Sequence, residues 1–282
     1  MKRGEYDLYL FGYYIYIMDH SNYFQVNKAA WNKRTIVNRG SEFYNVDSYK
    51  AGNSSLNPLE IESLKDVRGK SMLHLQCHFG LDTLSWAREG AIVTGIDLSD
   101  EAIRTAKQLS SDVNIPAEFI CCNVYDTLEH IRQPYDIVFT SYGVIGWLPD
   151  LHKWADIISK VLKPGGIFFL AEFHPVLWMF DDDFEYIKYA YHNERVIAET
   201  QTGTYADRSA DITYHEYSWN HSLSEVMTAL IEHELLIAEF TELNYSYYNC
   251  FNKTIRGENG YWYIKGLENK IPMMYAIKAR KI

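Results

Sequence analysis

The chain has 282 residues, 47% of them hydrophobic and 23% charged, with a formal net charge of -10 at pH 7. That length suits one large domain or one domain with substantial additions, and so apolar a composition excludes wholesale disorder. The acidic balance argues against a nucleic-acid partner, because binding to phosphate backbones runs largely on Lys and Arg.

Residues 8–18 form an apolar, Tyr-rich run. It is shorter than the ~20 residues a bilayer span takes, and it lacks the small-residue cleavage site of a signal peptide. No membrane partner is expected. Met18 opens an ordinary polar segment, so residues 1–17 read as an upstream extension and residues 18–282 as a single domain. Native protein with an intact mass starting at Met18 would support that reading. The alternative is a strand or helix added to the domain surface. Residues 19–66, with Trp31 and several other aromatics, read as helices and loops ahead of the main sheet.

From residue 71 short apolar runs alternate with helical patterns, the rhythm of βαβ units and a parallel sheet. Ser71–Gln76 is the first strand. Leu81–Glu89 is a helix stopped by Gly90. Ala91–Ile96 is the second strand. Ser99 caps the next helix, with Asp100 and Glu101 where the helix dipole favours negative charge. Glu118–Cys122 and Tyr135–Ser141 are the third and fourth strands. Leu151–Leu162 is an amphipathic helix that ends in the turn Lys163-Pro164-Gly165-Gly166. Ile167–Phe173 is a nearly all-apolar strand, as one covered on both faces should be.

The alternation then breaks. Residues 174–220 hold many aromatics and charges, with weak alternation near Ile212–Trp219, and read as an inserted cover or small antiparallel sheet. Ser222 and Glu225 have capping-box spacing, so a helix runs from there to about Glu234. Leu235–Leu243 and Met273–Ala279 are the last strands. The whole predicts a doubly wound, Rossmann-like α/β sheet of about seven strands, the last antiparallel, with N-terminal helices and an inserted cover. Cys77, Cys121, Cys122 and Cys250 make no disulfide framework. A reducing, cytoplasmic setting is expected.

Ligands of such sheets bind beyond the carboxyl ends of the strands, above all at the first strand–helix turn, where backbone N–H groups face the ligand. Here that turn is Gln76-Cys77-His78-Phe79-Gly80. Asp97 follows Gly80 by 17 residues, where an acid can accept hydrogen bonds from a ribose diol. The stretch Leu73–Gly80 followed by Gly95-Ile96-Asp97-Leu98-Ser99 resembles motifs I and II of class I S-adenosylmethionine (SAM)-dependent methyltransferases. The usual motif I has an acidic residue and three glycines. Here His74 stands at the acidic position, and Gln76 and His78 stand at the first two glycines. Asn123, Tyr135–Phe139 and Leu162–Gly166 resemble the later motifs in order and spacing. The Gln-Cys-His-Phe-Gly phrase, Glu172–Pro175, Gly203–Tyr205 and Trp219–Ser222 are similar to a bacterial subgroup of small-molecule type. The resemblance covers roughly residues 20–280.

The resemblance implies SAM as cofactor and a role for each matching residue. Asp97 would hold the ribose hydroxyls and Leu98 would pack on the adenine. Asn123, with Val124 beside it, would bond the adenine edge. Gln76, Cys77, His78 and Gly80 would wrap the methionine portion. Ser141 and Tyr142 would face the methyl group and the acceptor. Trp31 would offer an aromatic face to the cationic sulfonium. Methyl transfer needs mainly alignment, with a base only where the acceptor must lose a proton. His174, just past the fifth strand, is the first candidate for that base, ahead of Glu172, His215 and His221. His74, Cys77 and His78 make no zinc set, since a structural site needs four converging ligands and no paired motif completes it. His74 is expected to bond locally on its strand. Expected partners are a small-molecule acceptor and, as an open option, a second copy of the chain in a homodimer.

The main alternative is a catalytically inactive SAM- or nucleotide-binding protein, suggested by the departures at Gln76 and His78. A nicotinamide-dependent oxidoreductase would need Gly-x-Gly-x-x-Gly after the first strand, which is absent. A DNA amino-methylating enzyme would need an Asn/Asp-Pro-Pro-aromatic run where this chain has Thr140-Ser141-Tyr142-Gly143.

Overall fold

A computed structural model describes residues 21–282; the proposed extension 1–17 and Met18 lie outside the described residues. The helices are α1 (Ser21–Asn38), α2 (Val46–Lys50), α3 (Pro58–Leu64), α4 (Leu81–Arg88), α5 (Asp100–Asp112), α6 (Thr127–His130), α7 (Leu151–Val161) and α8 (Leu223–Glu232). The strands are β1 (Ser71–Leu75), β2 (Ile92–Asp97), β3 (Glu118–Cys121), β4 (Tyr135–Ser141), β5 (Leu162–Phe173), β6 (Ile197–Thr202), β7 (Thr213–Ser218), β8 (Leu235–Leu243), β9 (Thr254–Arg256), β10 (Trp262–Ile264) and β11 (Met274–Lys281).

The main sheet has seven strands in the order β3-β2-β1-β4-β5-β11-β8. The first five pair in parallel, and β11 runs antiparallel to both β5 and β8. This is the doubly wound, Rossmann-like sheet, with its antiparallel last strand. The strand order reverses between β1 and β4, which opens a crevice at their carboxyl ends.

Both faces of the sheet are covered. Trp154 of α7, Val226 and Leu230 of α8, and Val138, Phe168 and Ile277 of the strands share one buried layer. Trp86 of α4, Met72, Phe139 and Phe169 share the other. Each such side chain contributes about 1.5–3 kcal/mol by leaving water. The caps hold as their sequences dictate. Ser99 Oγ accepts from Ala102 N at 3.0 Å, and Ser222 Oγ accepts from Glu225 N at 3.2 Å.

Two local readings change. Lys163–Gly166 is not a free turn: the strand begins at Leu162 and bulges there. The register jumps from Tyr135↔Leu162 to Ile137↔Ile167, and Gly165 absorbs the kink with φ 76°. The cover holds the β6–β7 hairpin, but it is joined by a second hairpin, β9–β10, outside the expected insertion. Asn259-Gly260 at that hairpin's tip is a strong hairpin signal that sequence inspection could have used. Cys121 ends β3 and is exposed, Cys122 follows it and is buried, and all four thiols are free. Among the described residues no helix is long and apolar enough to cross a membrane.

Candidate active site

The turn after β1 is shaped by alternating left-handed residues: Gln76 (φ 55°), His78 (φ 51°) and Gly80 (φ 81°). The backbone thus keeps a glycine-type conformation at both positions where glycine is missing. Each non-glycine there costs about 1–3 kcal/mol, and its surroundings hold it in place. Gln76 Nε2 donates to Val144 O at 2.9 Å, and Cys77 N donates to Ile96 O at 2.9 Å. His78 N donates to Asp97 Oδ2 at 2.8 Å. Gly80 has no room for a side chain, since an added Cβ would lie 2.8 Å from the Phe119 ring.

This turn forms one wall of a cavity of about 770 Å³, within the range of small-molecule sites. Gln76, Cys77, His78, Gly80, Asp97, Leu98, Asn123, Val124, Ser141, Tyr142 and Trp31 all line it. Asp97, at the end of β2, accepts from His78 N through Oδ2 and from Ser99 N through Oδ1, both at 2.8 Å. Each oxygen keeps a lone pair for a ligand hydroxyl. Burial pushes its carboxyl up to about 6, against the pull of those N–H donors. Asn123 Oδ1 accepts from Tyr125 N at 3.0 Å and so starts the turn Val124–Asp126. That use of the oxygen leaves the amide N–H groups for a ligand.

At the end of β4, Ser141 Oγ donates to Asp82 Oδ2 at 3.0 Å and lies 3.4 Å from His74 Nε2. His74 Nδ1 is 2.8 Å from Thr83 Oγ1, and burial pulls this imidazole down to about 3. Asp82 Oδ1 also accepts from Ser55 Oγ at 2.6 Å. Behind this wall Glu60 is fully buried, taking one hydrogen bond from Asn57 Nδ2 at 3.2 Å. Asn57 Nδ2 also donates to the hydroxyl of Tyr248 at 2.8 Å.

Burial, helped by the charge of Asp82, pushes the Glu60 carboxyl up to about 8, from an ordinary ~4.3. Between those pH values the folded chain keeps a proton that the unfolded chain has released. Stability from this group is therefore full below the unfolded value and is lost as pH rises through about 8. Glu60→Gln mimics the protonated form. It is expected to flatten the fall of melting temperature between pH ~5 and ~8 and to melt several degrees higher at the upper end, at roughly 2–4 °C per kcal/mol. Thermal scans of both proteins across that range check it; parallel curves would refute it.

Helix α1 and the cover close the other side. Trp31 packs edge-on against His78 and Trp147, with ring centroids 5.3 and 5.4 Å apart. Arg34 places its guanidinium 4.7 Å from the Trp31 ring and 5.1 Å from that of Tyr214, and donates to Glu216 Oε2 at 3.1 Å. The Tyr44 and Tyr205 hydroxyls meet in a short hydrogen bond. Of the cover aromatics, Trp178, Tyr189, Tyr205 and Tyr214 line the cavity, whereas Tyr186, Tyr191 and Tyr217 do not. Tyr248 and Phe251 line it from beyond β8.

His174 requires a correction: it does not line the cavity. The strand ends at Phe173, the His174 N–H goes to Met273 O at 3.0 Å, and its ring turns to Glu242, 2.9 Å from Nε2. Glu172 does reach the cavity wall, but its carboxylate is saturated. It accepts from the N–H groups of Gly143, Val144 (2.8 Å), Ile145 (3.2 Å) and Phe173 (2.6 Å). It anchors the loop after β4 and has little capacity left to act as a base. His221 has both ring nitrogens occupied, by Glu225 at 2.9 Å and Leu148 O at 2.7 Å. His215 is exposed on β7, 2.7 Å from Thr200 Oγ1. Asp82, Arg34 and Tyr248 were not singled out from sequence. Asp82 carried a signal, as an acid two places after the turn's glycine.

Residues 73–170 match a family model described as a methyltransferase domain. Over 120 residues, 41% of this chain, the protein is 32% identical to the ubiquinone biosynthesis O-methyltransferase of Vibrio atlanticus, 50% of whose length is covered. The chain spans about half the length of the curated relatives it matches. Among solved structures it is similar to an S-adenosylmethionine-dependent methyltransferase from Mesorhizobium loti (TM-score 0.55, 18% identity), covering 82% of this chain and 100% of that one. It is also similar to one from Clostridium acetobutylicum (TM-score 0.55, 14% identity), covering 90% and 98%. The sequence match falls on β1 to β5 and the turn that bounds the cavity, so residues 73–170 are similar to a methyltransferase domain, and the chain has the fold of those SAM-dependent methyltransferase structures.

Proposed function

We propose that this protein transfers a methyl group from SAM to a small-molecule acceptor. The observation that carries the reading is the Asp97 carboxylate, open to the cavity at the end of β2 beside a turn that keeps left-handed backbone at positions 76, 78 and 80. The residues present fit the donor. Asp97 has lone pairs for a ribose diol, Leu98 and Val124 offer apolar walls, and the Asn123 amide can donate to a base edge. Gln76 Oε1 is buried with no partner among the described residues, a vacant acceptor in the turn itself.

SAM supplies an activated methyl group for in-line displacement at carbon. The chain binds, aligns and excludes water. Ser141 and Tyr142 stand at the end of β4, between the donor wall and the aromatic cover. Burial pushes the Tyr142 hydroxyl far above its ordinary value, so it donates hydrogen bonds and does not ionise. The enclosure by α1, the β6–β7 hairpin, Tyr248 and Phe251 favours a small, largely apolar or aromatic acceptor over a polymer. The name of the Vibrio relative, a ubiquinone biosynthesis O-methyltransferase, supports the same class. The inactive-binder reading rested on Gln76 and His78; the left-handed backbone kept at both positions supports donor binding there, and turnover is what separates the two readings.

The test is incubation of the purified chain with SAM and a fractionated metabolite extract. S-adenosylhomocysteine should accumulate together with a product heavier by one CH₂. Tight SAM binding without turnover in any fraction would favour the binder.

A further inference from the structure

Each carboxylate on the cavity wall can be asked what balances it. Asp97 has two backbone N–H donors and Glu172 has four. Glu216 has Arg34, and Glu199 has Lys188. Asp181 takes the N–H groups of Glu185 and Tyr186, and Asp182 is exposed. Asp82 differs. Its partners are two neutral hydroxyls, Ser55 Oγ on one oxygen and Ser141 Oγ on the other. Among the described residues no Lys, Arg or His lies within ion-pair distance of it. His74, one hydroxyl away through Ser141, is held neutral by burial. Asp82 is half-buried on the cavity wall, and a carboxylate held partly out of water without a cation is costly unless a ligand brings one.

The position says which cation. Asp82 sits in the first turn of α4, two residues after Gly80, which ends the turn that on the functional reading would wrap the donor's amino-acid end. Ser141 and Ser55 fix both of its oxygens, so it is oriented before any ligand arrives. The acid missing at position 74 thus has a counterpart two hydrogen bonds away, on the next element of the chain.

We propose that Asp82 is the counter-charge for the α-ammonium group of the bound donor. The assignment rests on the functional reading above. It makes Asp82 a binding residue for the amino-acid tail and separates that task from Asp97, which serves the sugar.

Calorimetry tests it with two compounds: S-adenosylhomocysteine, and its analogue with hydrogen in place of the α-amino group. The native chain should bind the first at least about 30-fold more tightly than the second, the lower bound for breaking a buried charge pair. Asp82→Asn should lose a similar factor for S-adenosylhomocysteine and bind the des-amino analogue within about threefold of the native chain, near the limit within which independent groups add. Asp82→Ser gives a second reading if the first variant does not fold. Equal losses for both compounds, or no loss for either, would overturn the assignment while leaving the functional reading intact. If the native chain binds neither compound, the functional reading falls and this assignment with it.

Discussion

Asp97→Ala is expected to weaken binding of SAM and S-adenosylhomocysteine at least about 100-fold, because two hydrogen bonds to a charged acceptor are worth about 1.5–3 kcal/mol each. The variant loses more than the ligand's bonds. Oδ2 holds His78 N and Oδ1 holds Ser99 N, so alanine also frees the donor turn and the start of α5. Asp97→Asn keeps the shape and one acceptor, so it frees one of those two backbone N–H groups instead of both. It should fall between the native chain and Asp97→Ala in both stability and binding. The pH dependence has a definite sign. The ionised carboxylate is the better acceptor, and in the ligand-free protein it takes up a proton near pH 6. Affinity should therefore hold above that value and fall below it, by up to tenfold per pH unit. Calorimetry at several pH values measures both effects. Full affinity in Asp97→Ala would remove the foundation of the functional reading.

The second large effect is structural. Glu172→Leu is expected to cost about 4–8 kcal/mol, since it strands four buried N–H groups at about 1–3 kcal/mol each, with some relaxation. That is comparable to the whole stability of an ordinary domain. The variant should fail to fold, or unfold at far lower denaturant than the native chain. Glu172→Gln, with one oxygen left, should fall between them. Urea titration followed by circular dichroism gives the answer. A Glu172→Leu protein that stays as stable as the native chain but no longer transfers methyl groups would instead mark Glu172 as a base.

What the sequence made legible is what local physics controls. Tyr135–Ser141 and Leu235–Leu243 match their predicted bounds because an apolar run between polar turns leaves one choice. The Ser99 and Ser222 caps were readable because capping spans three residues. The place of Asp97 at the end of β2, on the cavity wall, was readable because the spacing from Gly80 to the end of the next strand is set by a βαβ unit of fixed size. The site's other half was not readable. Arg34 meets Glu216 across 182 residues, and Asn57 meets Tyr248 across 191. No local pattern encodes such pairs. His174 was misplaced for a related reason. Its place after a strand was read correctly, but the direction of its ring depends on Glu242 of β8, 68 residues on.

Helix α1 and strand β7 are stitched by three side chains of the helix: Lys33 Nζ donates to Thr213 O at 2.8 Å, Arg34 pairs with Glu216, and Asn27 makes the closest match to a strand. Asn27 donates to Tyr217 O and accepts from Tyr217 N, both at 2.8 Å, the double bond a neighbouring strand would make. Neither piece can swing aside alone without leaving that amide pair stranded. Traffic of donor and acceptor must therefore lift them as one shutter or pass elsewhere along the rim. Shortening the chain past Asn27 would strip the hairpin's support together with the helix.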